Sequence, residues 1–378
     1  SIIDKEAVLK AAQELQIDGI LSHAVDPGVV SAAYVAEQMG LPFQCSYKAA
    51  CILQDKSLFR QFLADNGFNC PHAKGYSNLE DALKEVDDFT WPVIVKPVDS
   101  AGSKGVTKVE SPKDLPMAIR TALEASISKH FIIEDFLNLD GYQSSADIFT
   151  VDGTLAYATY SDQLFDEKAA NPYTPAIEIW PASMKQYHQD ELTNELQRLF
   201  MLLGMKSGIY NVESRVCTNG KAYIMEVSPR GGGNRIAELQ DMATGQNLIK
   251  NEILKALNMP MDHITSPEYD GVWCNYILHS AKAGILESVD IDEEFHDLIF
   301  EATENEKLIQ MFKNLRIQLY RYRMAQAKNN ETSMSTIVAH HRSIIRAIEN
   351  HDAEEGATIA QGHIKYQTES ILRFVRNK

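Results

Sequence analysis

Cysteine is scarce in this 378-residue sequence, and the five present (Cys45, Cys51, Cys70, Cys217, Cys274) are odd in number and contain no C-x-x-C pair. A disulfide framework is therefore not expected, and reduced thiols in a cytoplasm are. Basic charge is in deficit as well: 36 Lys+Arg face 52 Asp+Glu, a net charge of −16. A surface that acidic argues against non-specific binding of nucleic acid or of anionic membrane, although a few local cations can still dominate one phosphate-binding cleft. No apolar run approaches the roughly 18 residues that span a bilayer. The sequence opens on helix-like residues with neither an initiating Met nor a basic-then-apolar leader, from which a fragment or processed chain is expected. Glycine and proline disappear from one region: there is no Gly between Gly284 and Gly356 and no Pro after Pro267. That texture predicts an all-α tail with helices over 292–328, 333–350 and 352–376 and a boundary near residue 288, with no flexible linker. The remaining composition, 44% hydrophobic and 23% charged, is that of an ordinary globular chain of two or three domains.

Ahead of the tail, hydrophobic periodicity predicts a helix over 4–15, a strand over 19–23, a turn at Asp26-Pro27-Gly28, a helix over 29–39 closed by Gly40, and a further strand led in by Leu41-Pro42-Phe43. Such strand–helix alternation predicts a parallel, doubly wound sheet. Beyond it the pattern gives helices over 56–66 and 78–86, the latter capped by Asn78, and strands over 91–96 and 131–133. A hairpin over 145–150 and 155–160 turns at Asp152-Gly153, and a long helix covers 191–205. A second hairpin over 208–215 and 221–227 turns at Asn219-Gly220, followed by a helix over 247–257.

Two stretches carry chemistry. In 93–106 (VIVKPVDSAGSKGV) a buried strand delivers Lys96 to a small-residue loop, Ser100-Ala101-Gly102-Ser103-Lys104-Gly105, whose backbone N–H groups can approach phosphate oxygens. The loop is neither a Walker A motif nor G-x-G-x-x-G. A plain hairpin turn with a solvated Lys104 fits that stretch equally well. The second stretch is Asn211-Val212-Glu213 followed by Met225-Glu226-Val227-Ser228-Pro229-Arg230-Gly231-Gly232-Gly233-Asn234-Arg235. Alternation along the paired strands directs Glu213 and Glu226 to one face. Two adjacent carboxylates repel unless a cation joins them, and Mg²⁺ accepts one or two carboxylates together with phosphate oxygens. Two solvated glutamates on a surface ribbon are the plainer alternative, made less attractive by the entropic cost of three successive glycines.

The order Lys56, Lys96, glycine-rich loop, Ile133-Glu134-Asp135-Phe136-Leu137, Glu213, Glu226, Arg230 resembles the ATP-grasp superfamily. The likeness is closest to the branch that holds biotin carboxylase, carbamoyl-phosphate synthase and the purine-pathway carboxylate–amine ligases, and it covers about residues 1–287. It implies an α/β plus α+β architecture. Residues 1–50 would be a truncated pre-ATP-grasp domain lacking its first β-α-β, and 51–287 an ATP-grasp domain of two lobes clasping nucleotide. The implied activity is an ATP-dependent, Mg²⁺-dependent carboxylate–amine (or thiol) ligase acting through an acyl phosphate on a small-molecule carboxylate. By the same resemblance Lys56 and Lys96 would contact the nucleotide phosphates, and Ser100, Gly102, Ser103 and Gly105 would fold over the β- and γ-phosphates. Glu134 would take the adenine amino group, with Phe136 and Leu137 beside the ring. Glu213 and Glu226 would hold Mg²⁺, and Arg230 would stabilise the transferred phosphoryl group. Two positions depart from the family: Gln143 stands where a ribose-binding Glu is common, and Ser228 where an Asn metal ligand is common. Asn234, Arg235 and Glu238 are candidates for holding substrate or, equally, for capping a helix.

In the tail, Asp292 and His296 are four residues apart and share a helix face, while His341 and His363 fall on later helices. The set resembles the C-terminal ligand-binding (FCD) domain of GntR-type transcription regulators, over about 290–376, and by that resemblance these four residues would hold Zn²⁺ or a similar divalent metal. Residues 288–378 would then be an incomplete all-α bundle whose apolar face is covered by homodimerisation or by the first module. No winged-helix DNA-binding part accompanies it, so nucleic-acid binding is not expected. Two partial modules meeting without a linker near 285–295 point to a fusion, artificial or natural. Two other readings of the whole remain: a metal-dependent small-molecule-sensing domain, and a grasp fold that binds nucleotide without catalysis.

Overall fold

The computed structural model describes residues 1–100, 102–166, 172, 174–269, 271–277 and 334–376. The chain divides into two compact units, Ser1–Lys282 and Ala283–Lys378.

The first unit opens with α1 (Lys5–Leu15), capped by Asp4, whose carboxylate accepts from the Ala7 N–H at 3.1 Å. α2 (Asp26–Met39) begins three residues earlier than the sequence suggests, because Pro27 sits in the first turn, where a missing N–H removes no helical hydrogen bond. It ends at Gly40 in the left-handed conformation, φ 67°. Neither 19–23 nor the stretch that Leu41-Pro42-Phe43 leads into is a strand. A strand exists only through its partners, and the described pairings all lie further along the chain. Nor does a parallel sheet form among the described residues: every pairing is antiparallel. The 41–45 segment leads instead into α3 (Tyr47–Gln54), capped by Ser46, and α4 (Lys56–Asp65), capped by Asp55. The Asp55 cap accepts from Ser57 and Leu58 N–H at 2.8 and 3.0 Å, which fixes Lys56 at the first helical position.

A four-stranded sheet follows. Its strands are β1 (Ala73–Tyr76), β2 (Val93–Pro97), β3 (Thr107–Val109) and β4 (Phe131–Asp135), in the order β1-β4-β2-β3. Helix α5 (Leu79–Lys84) separates β1 from β2, and α6 (Leu115–Ala125) separates β3 from β4. The sheet's apolar face, with Val93, Val95, Phe131 and Ile133, packs on Leu115, Ala118, Ile119 and Ala122 of α6. The opposite face is left to carry Lys96 and Glu134.

The second sheet has seven strands: β5 (Leu139–Val151), β6 (Thr154–Tyr157), β7 (Asp162–Phe165), β8 (Pro175–Trp180), β9 (Gly208–Cys217), β10 (Ala222–Ser228) and β11 (Trp273–Tyr276). Their order is β10-β9-β5-β7-β8-β11, with β6 beside β5. One face, through Ile148, Tyr210, Val212 and Ile224, forms the main core with α2, α3, α4 and α7 (Gln186–Leu203). On the other face Phe149 and Ile209 pack under α8 (Ile236–Thr244) and α9 (Leu248–Ala256), and Trp180 packs on Ile236 and Leu239 of α8. The second unit contains α10 (Met334–Glu349) and α11 (Ala353–Arg376), which agree with the two last predicted helices to within a residue or two. The helix expected over 292–328 lies outside the described residues. No helix among the described residues is long and apolar enough to cross a membrane.

Candidate functional site

The paired carboxylates owe their position to an irregularity. β9 and β10 run in register up to Ile224 opposite Ser214, and the register then shifts so that Glu226 stands opposite Glu213. Without that bulge Glu226 would oppose Val212, and its side chain would point to the apolar face. The carbonyl of Met225, at the bulge, is satisfied by Arg60 from α4, whose Nη1 donates to it at 2.8 Å. Simple alternation therefore reached the right face by a route the chain does not take.

Lys56 Nζ lies 3.2 Å from Glu226 Oε2 and donates to the Ser100 carbonyl at 3.2 Å. One ammonium thus joins the carboxylate pair to the glycine-rich loop. Burial alone would depress the Lys56 pKa, and the Glu226 charge overcomes it and raises it. Burial and the neighbouring Glu226 charge raise the Glu213 carboxyl, whereas at Glu226 the effect of burial is overcome by Lys56 and Lys96 and the pKa falls. The pair is one carboxylate whose charge its lysines favour beside one whose ionisation burial and its neighbour oppose. In the loop, Gly102, Ser103 and Gly105 have φ of 67°, 55° and 76°, the left-handed region that glycine adopts at no steric cost. Gly105 also abuts α6: a Cβ there would lie 2.7 Å from the Ala125 Cβ.

Glu134, on β4, is buried between two cations. Its Oε1 accepts from Lys96 Nζ at 2.5 Å and its Oε2 from Arg60 Nε at 3.0 Å. Burial alone would raise its pKa, but the two charges hold it at about 2. Burial pulls Lys96 down to about 8 despite the attraction of Glu134. Beside it, the Phe136 ring is covered by Lys108 Nζ at 4.4 Å, and Leu137 packs on Cys217, Tyr223 and Met225.

Arg230 is held by a residue that reads in the sequence only as part of a turn. Asp26, at the start of α2, accepts from Arg230 Nε at 2.8 Å and Nη2 at 2.7 Å, and from Ser228 Oγ at 2.8 Å. Behind it Asp147, fully buried on β5, accepts from the Gly232 N–H at 2.7 Å and from Asn211 Nδ2 at 3.1 Å. A Cβ on Gly232 would meet both partners at 2.8 Å, so glycine is required there for close approach. Gln143 accepts from Arg215 and donates to Gln163 Oε1 at 2.9 Å and to Glu213 Oε2 at 3.4 Å. Arg235 is exposed and pairs with Glu238 at 2.8 Å, while the Asn234 carbonyl accepts from Asn275 at 2.7 Å. The structure thus brings Lys56, the loop, Glu213 and Glu226 together, with Lys96 and Glu134 on the facing sheet. Arg60, Asp26 and Asp147 were missed. Only their partners reveal them, and those partners lie far away in sequence.

In the second unit, His341 Nε2 and His363 Nε2 are 3.4 Å apart, and His363 Nδ1 lies 3.4 Å from His340 Nδ1. Both His341 and His363 are buried. Asp292 and His296 lie outside the described residues. No group of three or more His, Cys, Asp or Glu converges as a metal site among the described residues.

A family model for the ATP-grasp domain matches residues 89–238, and one for the FCD domain matches residues 278–366. Residues 89–238 thus match an ATP-grasp domain. Among solved structures it is similar to an L-amino acid ligase from Bacillus licheniformis, with a TM-score of 0.62 and 23% identity over 78% of this chain and 71% of the other. It is also similar to phosphoribosylglycinamide synthetase from Anaerococcus prevotii, with a TM-score of 0.58 and 19% identity over 76% and 71%. Likenesses of that order show the fold. In sequence it is 26% identical over 185 residues to the carbamoyl phosphate synthase large chain of Thermotoga neapolitana, covering 49% of this chain and 16% of that one. The chain therefore spans about a sixth of the length of that curated relative.

Proposed function

We propose that this chain is an ATP-dependent ligase that joins a carboxylate to an amine (or thiol) through an acyl phosphate. In this reading 51–287 form the catalytic domain, 1–50 complete it through Asp26, and 288–378 form a separate helical domain. The observation that carries the reading is the link from the Glu213–Glu226 pair through Lys56 to the Ser100 carbonyl, which unites three pieces far apart in sequence. Lys56, Lys96 and the loop would hold the nucleotide phosphates, and Glu134 would receive the adenine amino group. Two adjacent carboxylates, one short of a counter-charge, fit Mg²⁺, which takes one or two carboxylates and completes its shell with phosphate oxygens. When bound, the ion neutralises phosphate charge. Ser228 would join it only by releasing Asp26.

The substrate carboxylate oxygen would attack the γ-phosphorus as the bond to ADP breaks. The amine would then attack the acyl carbon, with inorganic phosphate leaving and the amine proton lost. Charge builds on the transferred phosphoryl oxygens, where preorganised cations lower the barrier without reorganising. Arg230, clamped on two nitrogens by Asp26, has its guanidinium orientation fixed before substrate arrives.

Calorimetric titration with Mg-ATP tests the reading. Binding by the wild type, weakened at least about tenfold in both Lys96→Ala and Glu226→Ala, is the expected result. Wild-type binding that both variants retain would refute the site.

A second reading concerns the tail. Nitrogens bound to one tetrahedral Zn²⁺ at about 2.0–2.1 Å stand about 3.4 Å apart, the separation of His341 and His363 Nε2. A metal-sensing domain is supported to that extent, and His340 would then orient His363 through its other ring nitrogen. Metal analysis of the purified protein and of His363→Ala tests it: metal bound equally by both would rule the pair out.

A further inference from the structure

Five residues on five neighbouring strands of the second sheet occupy a single register row. Arg215 on β9 pairs with Gln143 on β5, Gln143 with Gln163 on β7, Gln163 with Glu178 on β8, and Glu178 with Asn275 on β11. Their side chains form an unbroken hydrogen-bonded chain. Arg215 Nη2 donates to Gln143 Oε1, Gln143 Nε2 donates to Gln163 Oε1 at 2.9 Å, and Gln163 Nε2 donates to Glu178 Oε1 at 3.1 Å. Asn275 Nδ2 donates to the other oxygen, Glu178 Oε2, at 3.3 Å. Gln163 and Glu178 are buried.

The ends of this row determine its middle. A guanidinium only donates, so it sets the amide orientation of each glutamine in turn, and a Glu178 oxygen accepts at the far end. Oxygen must face Arg215 and nitrogen must face Glu178. The same constraint turns the Gln143 amino group, rather than its carbonyl, toward Glu213 Oε2 at 3.4 Å. Glu178 touches no candidate ligand itself, yet without it Gln163 Nε2 loses its acceptor and the row is held from the Arg215 end alone. A reversed Gln143 would point its carbonyl at the Glu213 carboxylate, oxygen against oxygen. The resemblance assigns Gln143 to the nucleotide ribose, but its oxygen and nitrogen are here committed to Arg215, Gln163 and Glu213.

We infer that Glu178 is a positioning residue which, through Gln163 and Gln143, holds the Glu213 carboxylate in its orientation for a divalent cation. This rests on the proposed role of Glu213 and Glu226 as the metal pair. Outer partners that orient a metal ligand typically contribute 10–100-fold to metal affinity.

The test is the affinity of the ADP complex for Mn²⁺, read from the electron-paramagnetic-resonance signal of free Mn²⁺, with ADP affinity in EDTA measured alongside. Glu178→Ala and Gln163→Leu, each cutting a different rung, are expected to weaken Mn²⁺ at least about tenfold and to leave metal-free ADP affinity within about twofold. Glu178→Gln, which keeps an acceptor oxygen, is expected to stay within about threefold of wild type. Should Glu178→Ala fail to fold, Gln163→Leu carries the test alone. Unchanged Mn²⁺ affinity in a folded Gln163→Leu or Glu178→Ala overturns the inference, as does an equal loss of metal-free ADP binding, which marks a structural role. Glu213→Gln separates the two levels. If it binds Mn²⁺ as tightly as wild type, the metal pair itself is refuted and this inference with it. If it loses Mn²⁺ while the row variants keep it, only the row is refuted.

Discussion

Glu134 and Glu178 are both strand glutamates, 4% and 1% exposed, in one structural unit, and they behave oppositely. Glu134 sits between Lys96 and Arg60 and is held at about 2. Among the described residues Glu178 is met by the amides of Gln163 and Asn275. Burial, with Asp147 and Glu213 as neighbouring charges, pushes it up to about 7. Residue type and burial are matched, so the partners decide. Two cations overcome desolvation, and two amides do not. The facing sheet thus fixes a permanent charge at the candidate adenine corner, while the far end of the polar row carries a carboxylate on the edge of neutrality.

The sharpest way to break the comparison is to remove a cation from the satisfied end. Arg60→Ala leaves Glu134 with Lys96 alone and strips the Met225 carbonyl of its donor. Losing one partner of a buried ion pair costs about 3–5 kcal/mol, and the remaining lysine places this variant near about 3 kcal/mol. Urea denaturation reads it directly. A loss below about 1 kcal/mol would mean that Arg60 adds little to what Lys96 already provides.

The two ends also predict opposite slopes with pH. At Glu134 the folded pKa lies below its ordinary value near 4.5, so its contribution is full above that value and is lost as pH falls toward 2. At Glu178 the folded pKa lies above 4.5, so the folded state holds the extra proton and stability falls as pH rises from about 4.5 through 7. Glu178→Gln removes that titration. Its stability relative to wild type is expected to rise by about 2–3 kcal/mol between pH 5 and pH 8. Thermal unfolding at the two pH values would show it, and parallel shifts in both proteins would contradict the pairing described for Glu178.

The legibility of these features in the sequence follows the range of the interactions that make them. Lys56, Lys96, the loop and the paired Glu213 and Glu226 lie in local patterns of strand, turn and charge, and those patterns place them on the elements observed. Asp26 could not be read in the same way. In the chain it is one acidic residue before Pro-Gly, and only the return of β10 some two hundred residues later gives it Arg230. The parallel sheet expected for the N-terminal segment failed for a related reason: alternation of strand-like and helix-like runs says nothing about whether a strand finds a partner. The β10 bulge shows a third limit. Period-two reasoning assigns Glu226 its face by counting, and the count is changed by one residue whose carbonyl Arg60 takes up.

A third buried carboxylate refines the comparison with the smallest expected effect. Asp147 has no cation in hydrogen-bonding contact, is pushed up to about 6 by burial, and has no hydrogen-bond partner for Oδ2 among the described residues. Its other oxygen accepts from Gly232 N–H and Asn211. An asparagine keeps that acceptor and discards the charge. At pH 8, where Asp147 is ionised, Asp147→Asn exchanges a buried charge for a neutral amide, and the expected change is under about 1 kcal/mol in either direction. Asp147→Leu, which leaves both donors without an acceptor, is expected to cost about 1–3 kcal/mol at the same pH. The order of the two variants is the informative result. If the asparagine were the worse of the two, the negative charge of Asp147 would itself be stabilising, through Arg230 beyond the glycine loop. Asp147 would then belong with Glu134 rather than with Glu178.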